Sequence, residues 1–204
     1  MTPSDKFSGY KIILASRSPR RRQLLKELGI EFEVALRNYD ESYPDGLTGE
    51  EIALHIATAK ARSFKGDIAE NEIVITADTI VWCKGEVLGK PEDEKDALRI
   101  LGKISGNTHE VITGVCIFSY LHERSFTVST HVTFCPLTDN EIQYYIDHYD
   151  PYDKAGAYGI QDWIGLIGCT NIEGSYFNVV GLPVQRLYTE LQEFVKLKGP
   201  KPEA

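Results

Sequence analysis

Apolar and polar positions along this chain fall into short blocks whose period changes repeatedly. Lys11–Ala15 (KIILA) is a compact apolar run that predicts a strand, and residues 32–36 predict a second. Between them Ser18 suits a helix N-cap, Pro19 the first helical position and Gly29 the stop, with Leu24, Leu25 and Leu28 as the apolar stripe. Thr48 followed by Glu51 is a capping box that opens a helix to about Phe64. Ile73–Thr76 predicts a strand with Asp78 at its end, followed by a second apolar run, Ile80–Trp82, and a tight turn at Lys84-Gly85. Glu92–Ile104 has helical periodicity, and Val111–Tyr120 and Ser125–Phe134 predict a pair of longer strands. Thr138 and Glu141 repeat the capping box before a helix ending near His148. Strands are expected at 164–172 and 176–180, and a last helix after Pro183. This mixture predicts an α/β fold, a mixed central sheet flanked by helices.

Length and charge narrow the picture. A chain of 204 residues suits one domain, expected over 1–196, with a polar tail at 197–204. The formal net charge of −8 argues against broad nucleic-acid binding, which wants a basic face. No apolar run approaches the roughly 18 residues of a membrane span, and MTPSDKFSGY lacks the apolar core of a signal peptide. Cys83, Cys116, Cys135 and Cys169 are widely spaced with no CxxC pair, which reads as reduced structural cysteines in a cytoplasmic protein.

Against that acidic background a few polar residues stand out. Arg20, Arg21 and Arg22 occupy the first turn of a helix, where the partial positive charge of the N-terminus prefers acids. Asp78 is a carboxylate among apolar strand residues, which must be paired, hydrogen-bonded or metal-bound, although a turn role is the ordinary alternative. Lys60 shares a helix face with Ala53, Ile56, Ala57 and Phe64; a snorkelling lysine is the plain reading. Lys90 lies in the rigid turn GKP, and residues 150–161 (DPYDKAGAYGIQ) carry small residues that let backbone approach a ligand. Asp40-Glu41 follows a strand and could supply metal ligands. Together these residues suit polyphosphate chemistry: arginines at a helix N-terminus and lysines for phosphate, carboxylates for magnesium. No Walker or Rossmann glycine motif is present.

The ordered stretches LASRSPRR, ADTIV, GEVLGKP, SGNTHEVITGV, DKAGAYGIQ and GSYFNVVGLP resemble the Maf family of nucleoside triphosphate pyrophosphatases, from about Lys11 to Leu187. The resemblance implies a two-lobed α/β fold with a nucleotide cleft, a divalent cation (Mg2+ or Mn2+), a homodimer, and cleavage of a nucleoside triphosphate to the monophosphate and pyrophosphate. No nucleic acid or membrane partner is expected. It assigns phosphate binding to Ser16, Arg20, Arg21, Lys60 and Lys90, a metal-associated role to Glu41, and the catalytic base to Asp78. The alternative for Asp78 is a metal ligand only. Asp162-Trp163 stands where the family carries glycine.

Base choice is tied by the same resemblance to Arg20, Thr79 and Gln161. Family members acting on 7-methyl-GTP carry an aromatic residue, a glutamine and a glutamate there, so this chain resembles the dTTP and UTP branch. A glutamine amide both donates and accepts, matching the carbonyl and N–H pattern of uracil and thymine. Two other readings stay open at this point: a 7-methyl-GTP pyrophosphatase, and a nucleotide-binding regulatory module associated with cell division, with little or no turnover.

Overall fold

One mixed sheet organises the chain in a computed structural model that describes residues 4–197; the tail expected at 197–204 falls, from residue 198 on, outside them. Its strands are β1 (Lys11–Leu14), β2 (Glu33–Val34), β3 (Glu72–Cys83), β4 (Glu86–Leu88), β5 (Thr108–Ser119), β6 (Glu123–Phe134) and β7 (Cys169–Glu173). Their order is β2-β1-β3-β5-β6-β7, with β4 paired to β3. β1 runs parallel to β2 and β3, while β4 on β3 and β7 on β6 are antiparallel. The helices are α1 (Pro19–Glu27), α2 (Gly49–Arg62), α3 (Glu94–Ile104), α4 (Asp139–Tyr149), α5 (Trp163–Gly168), α6 (Tyr176–Val180) and α7 (Val184–Leu197).

The chain divides into two compact units. The first takes the described residues up to Asp78, Thr113–Val128 and those from Gly181 onward; the second takes Thr79–Ile112 and Ser129–Val180. In the first, Ile13, Val74, Phe64 and Cys116 are among the buried residues of one apolar cluster. In the second, Leu101, Phe134, Tyr145 and Ile164 belong to another. Among the described residues no helix is long and apolar enough to cross a membrane. All four cysteines are free thiols.

Local chemistry explains most boundaries. The Ser18 hydroxyl accepts the Arg21 N–H at 3.4 Å and so caps α1. At α2 the Glu51 carboxylate accepts both the Thr48 N–H and its hydroxyl at 2.8 Å, and Glu141 repeats this toward Thr138 at α4. Lys84 (φ 51°) and Gly85 (φ 85°) form the left-handed pair of the β3–β4 hairpin.

Three expectations are corrected. Asp78 does not end a strand: β3 is continuous through it to Cys83. Residues 164–168 are helical, and only Cys169–Glu173 is a strand. The Asp162 carbonyl accepts the Gly165 N–H at 2.9 Å and the Leu166 N–H at 3.2 Å, which starts the helical turn, and only glycine fits at 165, where a Cβ would lie 2.0 Å from the Ile160 carbonyl oxygen. Residues 176–180 are helical too, because the Ser175 hydroxyl accepts the Asn178 N–H at 3.3 Å and caps a short α6.

Candidate functional site

The first unit gathers the charged residues singled out in the sequence. Helix α2 rests closely on the sheet, with the Thr76 hydroxyl donating to the Ala57 carbonyl at 2.7 Å. That docking directs Lys60 toward mid-β3, where its ammonium donates to the Ala77 carbonyl at 3.2 Å and faces Asp78 Oδ1 at 3.4 Å. The two side chains are only 12% and 23% exposed, so the pair is little screened by water. Burial lowers the Lys60 pKa, and the Asp78 charge opposes that shift.

Arg21 approaches the same point from α1. Its Nε donates to the Gly181 carbonyl at 2.7 Å and its NH1 to the Ala77 carbonyl at 2.8 Å. Burial lowers its pKa as well, again opposed by Asp78. Arg22 donates to the Arg17 carbonyl at 3.2 Å. Part of the cost of placing arginines at a helix start is therefore offset by backbone carbonyls within the protein. Arg20, half-buried in the same turn, adds to the positive field acting on Arg21. Buried Ser16 shapes the approach to α1, its hydroxyl accepting the Ser18 N–H at 3.2 Å.

The acidic pair divides its work. Asp40 accepts the Ser42 N–H at 2.9 Å, which holds its carboxyl below the usual range and marks it as a turn residue. Glu41 accepts the hydroxyl of Tyr39, and its charge acts on Lys60. Tyr39 is the residue that sequence reasoning missed. Its ring lies 4.9 Å from the Lys60 ammonium, and burial followed by the Glu41 contact raises its phenol above the ordinary tyrosine range. An aromatic residue directly before an acidic pair was its only sequence signal. Arg21 and Lys60 thus converge on the Ala77 carbonyl beside Asp78, with the Arg20 charge in the same helical turn as Arg21.

Glu41 and Asp78 are the carboxylates of this cluster that could hold a hard divalent cation. Among the described residues no three His, Cys, Asp or Glu side chains converge on one point. A two-carboxylate set leaves coordination positions to phosphate oxygens and water, the habit of magnesium.

The second unit holds the remaining candidates. Thr79 is half-buried in β3, while Lys90 and Gln161 are exposed. The Gly156 N–H donates to the Gly89 carbonyl at 3.0 Å, joining the Lys90 turn to the glycine-rich segment. Gly156 (φ 71°) is left-handed, and a Cβ there would lie 2.8 Å from Val81 Cγ2. Asp162 is built into the scaffold: it accepts the Tyr145 hydroxyl at 2.8 Å and pairs with buried Lys154 at 3.6 Å. Tyr145 in turn accepts the Gly159 N–H at 3.1 Å. The structure therefore collects Arg21, Lys60, Asp78 and Glu41 in one unit, and Lys90 and Gln161 on connected loops of the other.

The family model described as Maf-like protein matches residues 11–194. A dTTP/UTP pyrophosphatase of Phocaeicola vulgatus is 58% identical over 190 residues, covering 93% of this chain and 98% of its own. Proteins of the same name from Parabacteroides distasonis and Bacteroides fragilis are 53% and 52% identical, covering 93% and 90% of this chain and 99% and 96% of theirs. A solved HAM1 protein from Coxiella burnetii aligns over 90% of this chain and 99% of its own at 14% identity, with a TM-score of 0.49.

Proposed function

The chain belongs to the Maf family, and from that premise we propose that it hydrolyses dTTP and UTP to the monophosphate and pyrophosphate, cleansing nucleotide pools. The observation that carries this reading is the shared name of relatives more than half identical over nearly their whole length. The two partly buried cations beside Asp78, Arg21 and Lys60, support it from the side of the geometry. The reading includes a cytoplasmic homodimer, with free cysteines as the support for a reducing compartment.

In this mechanism Asp78 accepts a proton from the attacking water. Lys60, 3.4 Å from that carboxylate, holds it in position for the transfer. Lys60, Arg20 and Arg21 neutralise charge on the triphosphate, and Lys90 adds a further point charge. Ser16 keeps the loop before α1 in shape. Glu41 and Asp78 would hold Mg2+ or Mn2+, which supplies neutralisation of phosphate oxygens when bound. Thr79 and Gln161 read the base, with the glutamine amide meeting both a carbonyl and the N–H of uracil or thymine.

The test is kcat/KM for UTP, dTTP, CTP and 7-methyl-GTP with Mg2+ present. UTP and dTTP are expected to exceed the other two by at least about 10-fold, the scale of one mismatched hydrogen bond. A preference for 7-methyl-GTP, or nucleotide binding without turnover, contradicts the reading.

A further inference from the structure

We infer that Tyr39 is a positioning residue that ties the lysine facing the triphosphate to the carboxylate facing the metal. The inference rests on the pyrophosphatase reading above and names a residue that the reading does not need.

One side chain here touches two groups of opposite charge by two different contacts. The ring lies 4.9 Å from the Lys60 ammonium, within reach of a cation–π attraction. The hydroxyl donates to the Glu41 carboxylate. Lysine is a compact charge on a flexible stem, so holding it in place requires walls. Ala77 and Asp78 supply two of them. A second acid beside Asp78 as the third wall would cancel the charge that a phosphate must meet. An aromatic face restrains the ammonium and leaves that charge intact. Glu41 presents the opposite problem: it is exposed, on the irregular segment between β2 and α2, where its carboxylate has rotamer freedom to lose. A hydrogen bond from a partly buried phenol reduces that freedom before any cation arrives.

Two substitutions separate the two contacts. Tyr39→Phe keeps the ring and removes the hydroxyl; Tyr39→Leu removes both. Mn2+ affinity is read by electron paramagnetic resonance in the presence of α,β-methylene-UTP, and KM for UTP is read at saturating Mg2+. The Phe variant is expected to bind Mn2+ about 10-fold more weakly, the scale of a hydrogen bond to a charged group, with KM for UTP within about 2-fold of wild type. The Leu variant is expected to show the same Mn2+ loss and, in addition, a KM for UTP raised about 5-fold, the scale of a partly exposed cation–π contact. Unchanged Mn2+ affinity in the Phe variant, or equal KM values for the two variants, overturns the inference. So does a wild type that binds no Mn2+, or a lowered thermal midpoint with both readouts moved alike in both variants, which marks a merely structural tyrosine. A wild type that binds Mn2+ but turns over no UTP overturns the pyrophosphatase reading instead, while the Mn2+ comparison still decides the hydroxyl arm.

Discussion

Ala77 contributes only a carbonyl oxygen, yet Arg21 and Lys60 both donate to it, one residue before Asp78. Two effects of removing Arg21 then compete. Losing a cation from the start of α1 relieves an unfavourable dipole contact worth a few tenths of a kcal/mol. Losing the guanidinium removes its hydrogen bonds to the Gly181 and Ala77 carbonyls, at about 1.5–3 kcal/mol for each such charge-assisted bond. The second effect is larger, so Arg21→Ala is expected to lower the urea midpoint with ligand absent. Arg21→Lys recovers little, because an ammonium cannot span both carbonyls as the planar fork does. An unchanged midpoint in the Ala variant would contradict this account of Arg21. At the base-reading position, Gln161→Glu places an acceptor-only carboxylate opposite a pyrimidine carbonyl. UTP and dTTP kcat/KM are expected to fall between about 5- and 150-fold, the range of an unpaired polar contact; indifference to the change would remove Gln161 from base recognition.

Helix α2 is the element on which the site depends, and a glycine decides where it lies. A Cβ on Gly114 of β5 would come within 2.3 Å of the Ala53 carbonyl oxygen and 2.7 Å of the Leu54 nitrogen, both backbone atoms of α2. Backbone cannot rotate aside as a side chain does, so Gly114→Ala must lift the helix that carries Lys60. The expected outcome is a loss of about 2–3 kcal/mol in chemical denaturation, as for an overpacked core, together with weaker triphosphate binding. Wild-type values for both would mean that α2 is free to adjust. The start of α2 was legible in the sequence because Thr48 and Glu51 close their hydrogen bonds within three residues. The same holds for Ser18 at α1 and Thr138 at α4. Residues 163–168 and 176–180 were not legible: WIGLIG and YFNVV read as apolar runs, and their helical turns start from the Asp162 carbonyl, which accepts the Gly165 and Leu166 N–H groups, and from the Ser175 cap. Lys60 was visible as a cation on an apolar helix face. Tyr39 was not, since its ring meets Lys60 across 21 positions of chain and only folding brings them together.

Stability of the whole molecule should carry the mark of one buried imidazole. His109 of β5 is 2% exposed, its Nε2 is 2.7 Å from the Tyr158 hydroxyl, its Nδ1 has no hydrogen-bond partner, and burial pushes its pKa down to about 4. Below the ordinary histidine value near 6.5 the unfolded chain binds a proton that the folded chain refuses. This contribution is therefore fully present above about pH 6.5 and is lost as pH falls toward about 4, at up to roughly 1.4 kcal/mol per pH unit. Wild-type stability is expected to fall more steeply than that of His109→Gln between pH 6.5 and 4.5, measured by urea denaturation; parallel profiles would show that His109 titrates normally. The central claim about the molecule is that its charged cluster directs water to the bond between the α and β phosphates, with Asp78 as the base. Phosphorus NMR of UTP turnover by wild type and Asp78→Asn tests it most directly. UMP and pyrophosphate are expected in equal amounts from wild type, and at least about 100-fold more slowly from the Asn variant. UDP and orthophosphate as products, or an Asn variant as fast as wild type, would contradict it.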